Sequence, residues 1–389
     1  MTRPAPADVV TAIRDVYGVK DGAIPLHAPV FGGNESKYVQ STIDSTFVSS
    51  VGQFVNDFEQ KLAEITGARF AIATVNGTTA LQIAMVLAGV KPGDMIITQS
   101  LSFVATPNAA SHAGATTAFV DIDRETLGLC PKALAAFLES ECRRDASGIT
   151  THIATGKRVA AIVPMHTFGH PCNMIGILDV AQAWGIPVIE DAAESLGSRY
   201  QGRGCGTFGL LGTLSFNGNK IVTTGGGGAI LTNDEALAKR GKHLTTTAKL
   251  PDRWRFMHDE VGYNFRLPNI NAALGVAQLE RLDAFIAYKR DLAARYRDRF
   301  KAMGIDFVSE PANSQSIYWL CAILARDVAE RDAILTATND AGVMTRPVWE
   351  PLHTLPMYAA SPCGPLPVTK DIAARLVNIP SGFQESARP

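Results

Sequence analysis

Short apolar runs alternate along this chain with longer stretches in which apolar residues recur every three or four positions. Residues 71–75, 95–98, 117–121, 159–163 and 187–189 have the length and apolar character of buried strands. Residues 79–87, 106–113, 131–138 and 175–184 carry the helical period between them. Strands that are apolar throughout must be covered on both faces, so this alternation predicts an α/β fold built on a large, mainly parallel sheet. Pro268 opens a long periodic stretch, 269–303, and Gly304 closes it, which predicts one long helix. Beyond it, 318–324 and 343–348 read as strands and 329–341 as a helix, a smaller C-terminal α+β unit hung from the long helix. The expected division is 1–285 for a large domain with an N-terminal arm and 286–389 for a small one. The charged stretch 140–158 reads as an exposed insertion.

Composition narrows the class of protein. A chain of 389 residues, 46% hydrophobic and 19% charged, has the make-up of a soluble protein of two domains. A formal net charge of -1 gives no electrostatic reason to bind nucleic acid or an anionic membrane. No apolar run approaches the roughly 20 residues of a membrane span, and the first residues lack the apolar segment of a signal peptide. The cysteines, 6 in all, are scattered without a C-x-x-C pair. They read as free thiols of a cytoplasmic protein, with no metal site among them.

Two strand ends carry the chemistry. Lys220 follows the apolar segment Leu214-Ser215-Phe216, and Asp191 follows Val188-Ile189-Glu190. A lone lysine is usually a solvated charge, and a lone aspartate after a strand is usually a helix cap. Together at the carboxyl ends of buried strands they match the needs of pyridoxal 5'-phosphate. The lysine amine forms a Schiff base with the cofactor aldehyde, and the acid keeps the pyridine nitrogen protonated. Asn76-Gly77-Thr78-Thr79 passes from a strand into a helix, where free N–H groups and the helix dipole favour a phosphate. Ser215 offers a further hydroxyl to the same phosphate. The run Gly225 to Gly228 lacks the G-x-G-x-x-G spacing of a dinucleotide loop and reads as a close backbone approach beside Lys220.

The motifs NGTTAL, SLSFVAT, HTFGHP, EDAAESLG, LSFNGNK, TGGGGAIL and GYNFRLPNINAALG, in that order, resemble the DegT/DnrJ/EryC1/StrS family of sugar aminotransferases. The likeness runs from about Ile24 to Ser381 and implies a fold-type I pyridoxal phosphate-dependent transferase. It implies Lys220 as cofactor lysine and proton shuttle, Asp191 on the pyridine nitrogen, and Gly77, Thr78 and Ser215 on the phosphate. Phe103 falls where the family places an aromatic ring against the cofactor. Glu194 stands where many members carry a glutamine that contacts the cofactor's phenolic oxygen. Asn264 matches a residue that reaches the phosphate from a neighbouring subunit, which implies a homodimer with shared active sites.

Residues 47–52, 243–248 and 344–347 are most similar to the subgroup of the bacillosamine and legionaminic acid pathways. That likeness implies transamination of a nucleotide-linked 4-keto-6-deoxy sugar, UDP-linked and 2-acetamido, with L-glutamate as amino donor and ping-pong kinetics. A GDP-linked substrate of the perosamine type is the alternative. Ser50, Gly52 and His353 fall in segments that line the sugar pocket of relatives. His166 and His170 flank a Phe-Gly turn after a strand, where they could border the pocket, and read first as structural. A dehydratase on the same fold would replace the lysine with histidine, so Lys220 argues against one. The missing nucleotide fingerprint argues against a nicotinamide oxidoreductase, and no DNA-binding segment supports a regulator.

Overall fold

The computed structural model describes residues 4–385. Its main sheet contains β1 (Phe70–Thr74), β2 (Met95–Gln99), β3 (Thr116–Val120), β4 (Val159–Val163), β5 (Ile189–Asp191), β6 (Leu211–Ser215) and β7 (Gly228–Thr232). Hydrogen bonding orders these as β1-β7-β6-β5 and β3-β2-β4. Parallel bridges Ile162↔Val188 and Met165↔Asp191 join β4 to β5 and make the two ladders continuous. The sheet is parallel from β6 through β5, β4 and β2 to β3, as the apolar runs predict. It turns antiparallel where β7 lies between β1 and β6.

Successive residues of one strand supply opposite cores. Ile96 packs with Leu81 and Ile83 on one face, while Met95 and Ile97 pack with Leu134 and Ile177 on the other. Strand side chains alternate in direction, so a strand covered on both sides must be apolar at every position. The helices that set the site are α1 (Pro6–Tyr17), α2 (Gly77–Leu87), α3 (Ala105–His112), α4 (Asn269–Leu279) and α5 (Leu282–Ala302).

The single long helix expected over 269–303 is in fact two, α4 and α5, separated at Glu280 and Arg281. Neither glycine nor proline marks the break. Glu280 accepts hydrogen bonds from Asn34 Nδ2 and the Tyr38 hydroxyl, both at 2.8 Å, and Arg281 reaches Glu385 at 3.1 Å. Distant partners therefore fix these two side chains, and Arg281 takes a non-helical φ of -107° and ψ of 0°.

A second sheet comprises β8 (Asp306–Phe307), β9 (Cys321–Leu324), β10 (Arg346–Pro347) and β11 (Leu376–Ile379), ordered β8-β9-β11-β10 and antiparallel throughout. The strand expected over 343–348 is confined to Arg346–Pro347, because Val343 bridges instead to Ile24. Val9, Ile13 and Tyr17 of α1 enter the same apolar cluster as Leu292 and Tyr296 of α5 and Val377 of β11. The boundary expected between residues 285 and 286 falls in the first turn of α5. Within 140–158, Cys142–Arg144 and Thr150–His152 pair as a hairpin whose Cys142 and His152 are buried.

Lys289, in the middle of α5, is 1% exposed. Its Nζ donates to the carbonyl oxygens of Trp319 at 3.1 Å and Ser381 at 2.5 Å. Burial pulls this amine down from 10.5 to about 7.

Candidate active site

Four strand ends meet above the sheet. β1 ends at Thr74, β5 at Asp191 and β6 at Ser215, while β7 begins at Gly228, which pairs with Thr74 on one side and Ser215 on the other. This register brings the start of α2 against β6. A Cβ on Gly77 would lie 2.8 Å from Ser215 Cβ, and one on Gly228 would overlap the Asn76 carbonyl. Only glycine allows either approach. Asn76 caps α2 by accepting the Thr79 N–H at 2.8 Å, and its carbonyl takes the Ala80 N–H. The N–H groups of Gly77 and Thr78 are left for an anion.

Asp191 is 3% exposed. Its Oδ2 accepts the Thr106 hydroxyl at 2.7 Å and its Oδ1 the Ala193 N–H at 3.2 Å. Burial pushes this carboxyl up, while those two donors, Lys220 and His166 pull it back. Lys220 lies in the turn after β6. Its Nζ stands 3.1 Å from Glu194 Oε1 and 4.0 Å from the centre of the Trp319 ring. Trp319 is itself anchored by its indole N–H to the Asn219 carbonyl at 2.8 Å. The other carboxyl oxygen of Glu194 accepts the Phe168 N–H at 2.9 Å. Burial raises the Glu194 carboxyl to about 7 against the pull of Lys220.

Lys220, Asp191, Glu194, Gly77, Thr78, Ser215 and Phe103 all line one cavity of about 310 Å³. Trp319, Trp349, Asn217 and Asn219 line it as well, and Thr106 orients Asp191 from behind. Asn217, Asn219 and Thr106 stand in the family motifs without a site role assigned to them, and the two tryptophans were not singled out. The signal that could have found the tryptophans is scarcity, since the chain has only 4 and two face the cavity. Trp349 packs against Phe103 and Phe168, with ring centres 6.3 and 5.2 Å away.

Other sequence-named residues lie outside the cavity of the single chain. Asn264 is exposed, with its Oδ1 accepting from Arg266 Nε at 3.0 Å. Ser50 and Gly52 precede the helix Gln53–Thr66, and Gly52 borders a separate groove with Phe47, Val51 and Asn269. His353 places Nδ1 at 2.8 Å from Ser100 Oγ. His166 and His170 are buried. His166 joins Glu190 at 3.0 Å and accepts the Cys172 N–H, while His170 meets Tyr318 edge-on at 5.1 Å. Burial lowers His170 to about 4.

A cavity of this size suits one small cofactor. The paired N–H groups at α2 and the Ser215 hydroxyl fit a phosphate, and the buried acid and the lysine fit the two functional ends of a pyridoxal ring. This is the construction of a pyridoxal phosphate-dependent aminotransferase of fold type I. The sequence profile of the DegT/DnrJ/EryC1/StrS aminotransferase family matches residues 30–385, and the chain belongs to that family. It is 37% identical to the GDP-perosamine synthase of Escherichia coli O157:H7 over 358 residues, covering 92% of this chain and 93% of the relative. It is 36% identical to the GDP-perosamine synthase of Caulobacter vibrioides, with 92% and 93% covered. Among solved structures, the aminotransferase TlmJ from Streptoalloteichus hindustanus superposes with a TM-score of 0.83 at 29% identity, covering 93% of this chain and 95% of that one. The cofactor is pyridoxal 5'-phosphate.

Proposed function

We propose that the protein transfers an amino group from L-glutamate to C4 of a nucleotide-linked 4-keto-6-deoxy sugar, with GDP as the nucleotide. The observation that carries this reading is the one cavity that joins Lys220, Asp191 and the anion cradle, in a chain 37% identical to a GDP-perosamine synthase. The UDP-linked, 2-acetamido substrate expected from the sequence gives way to the GDP alternative, because the relatives above are named for GDP-perosamine.

Bound pyridoxal phosphate supplies an electron sink for a carbanion beside nitrogen. In this reading Gly77, Thr78 and Ser215 bind the phosphate, and Phe103 covers the ring. Asp191 holds the proton on the ring nitrogen. Lys220 Nζ would anchor the cofactor, and its freed amine would take the proton from the α-carbon of the amino donor and return it on the far side of the donor nitrogen. In the second half-reaction it moves a proton back to C4 of the sugar.

The active site is completed in a homodimer, with Asn264 reaching the partner's phosphate. Its exposed position, beside a segment whose Trp254, Phe256 and Val261 are 76%, 79% and 87% exposed, supports a covered surface there. Ser50, Gly52 and His353 border the sugar, and residues 1–285 and 286–389 act as the two domains.

Purified protein, glutamate and a panel of GDP-, UDP- and dTDP-linked 4-keto-6-deoxy sugars test the proposal. Mass spectrometry should show the amino sugar with the GDP substrate, and Lys220→Ala should abolish it. Amination of the UDP sugar alone would overturn the nucleotide assignment, and no amination of any sugar would overturn the function.

A further inference from the structure

We propose that Lys289, outside the cavity, is a positioning residue for the reaction: it fixes the backbone at Trp319 so that the indole ring stands against Lys220. The proposal deepens the aminotransferase reading and rests on it. Lys289 lies in the middle of α5, and its Nζ donates to the carbonyl oxygens of Trp319 at 3.1 Å and Ser381 at 2.5 Å. The Trp319 carbonyl comes before β9, which begins at Cys321, and so lies outside that strand's ladder. Tyr318, just ahead of it, has a left-handed φ of 47°, unfavourable for a bulky side chain. Such a conformation persists only where its surroundings over-determine it. Here the Ser316 hydroxyl oxygen accepts the Tyr318 N–H at 3.0 Å, Lys289 holds the Trp319 carbonyl, and the Asn219 carbonyl takes the indole N–H at 2.8 Å. Ser381 Oγ accepts the Cys321 N–H at 2.7 Å, which secures the same segment two residues on.

Trp319 is thereby tied at both ends, its backbone to α5 and its ring to the turn that carries Lys220. It is 5% exposed, and its ring centre lies 4.0 Å from Lys220 Nζ. The ring is a wall that limits the swing of the Lys220 side chain on that side, whether the amine is bonded to the cofactor or free. Proton transfer depends steeply on such placement, since a shift of about 1 Å can cost about a hundredfold in rate. Lys289 can hold the wall in either charge state. An ammonium has three N–H donors and a neutral amine two, and the two carbonyls need two. An apolar side chain of similar length would avoid desolvating an amine, so what the amine adds here is its hold on those carbonyls.

The test compares wild type with Lys289→Met, which has no donor, and Lys289→Gln, whose amide is one bond shorter and reaches the carbonyls less well. Isotope-labelled tryptophan is incorporated into the holoenzyme, and the Trp319 indole resonance is assigned by its loss in Trp319→Phe. Because that N–H is bonded to Asn219, its chemical shift and hydrogen exchange report where the ring sits. The resonance should move and exchange faster in Lys289→Met, and less so in Lys289→Gln. The single-turnover rate at saturating glutamate should fall roughly tenfold in Lys289→Met and by a smaller factor in Lys289→Gln, with half-saturation by glutamate unchanged. In a Trp319→Ala background either loss should vanish, because Lys289 acts through the ring, whereas a general loss of structure would lower both backgrounds alike. Lys289→Gln carries the same comparison if Lys289→Met is too unstable to purify. A wild-type rate and resonance in either variant, or a loss that persists in Trp319→Ala, overturns the proposal. A wild type inert toward glutamate would instead overturn the aminotransferase reading, and the indole resonance, which needs neither sugar nor glutamate, separates the two failures.

Discussion

Thr106, in the first turns of α3, donates its hydroxyl hydrogen to Asp191 at the end of β5 across 2.7 Å, and both residues are buried. The acid proposed to govern the cofactor ring is thus aimed from the helix that follows β2, two strands away in the sheet. Thr106→Val keeps the shape of the side chain and leaves Asp191 Oδ2 without this donor. The lost bond to a charged acceptor is worth about 1.5–3 kcal/mol. Steady-state kinetics should show kcat/KM down by roughly tenfold or more, and equilibrium dialysis should show weaker cofactor binding.

Gly228→Ala should damage the cradle more than Gly77→Ala. At Gly228 the added Cβ meets the Asn76 backbone, which cannot move without shifting α2, whereas at Gly77 it meets the Ser215 side chain. The overpacking costs about 1–3 kcal/mol. Thermal denaturation of the two variants, with and without cofactor, should rank Gly228→Ala as the less stable and the less rescued by cofactor.

Trp319 is held by its indole N–H and presents its face to Lys220, so its two functions separate by substitution. Trp319→Phe retains a ring and loses the bond to Asn219. Trp319→Ala loses both and should lower kcat further than Trp319→Phe. The cation–π contribution, about 1–2 kcal/mol when desolvated, corresponds to roughly a tenfold gap between the two variants in single-turnover experiments.

Lys289 makes stability depend on pH in a definite direction. Its folded value of about 7 lies below the ordinary 10.5, so between those limits the unfolded chain binds the extra proton. Stability at this residue rises with pH through that window, and below about 7 the full penalty is present. Urea denaturation near the two ends of the window should differ by roughly 3–5 kcal/mol from this group. Lys289→Met should flatten the slope, even though it also leaves the Trp319 and Ser381 carbonyls without their donor.

The parts of the fold that were legible are those fixed by local pattern. β2 and β4 are buried at every position, and their apolar runs say so without knowledge of neighbours. Asp191 and Ser215 lie at strand ends, as the apolar runs before them predict, while Lys220 lies in the turn beyond β6. The break at Glu280 and Arg281 was not legible, since its cause lies at Asn34, Tyr38 and Glu385. The antiparallel β7 was hidden for a similar reason. Its direction is set by pairing with Thr74 and Ser215, and nothing in Gly228–Thr232 states that. Thr106 and Trp319 act through partners far along the chain, and the sequence alone assigns neither a role.

The place of β7 also orders the events of synthesis. β1 and the start of α2 emerge from the ribosome early, yet their neighbour in the sheet is the strand that follows Lys220. Until Gly228–Thr232 has been made, β1 has no partner on that side and the cradle has no wall. The wall of the cradle is therefore made after the lysine proposed to anchor the cofactor, so the two become available together.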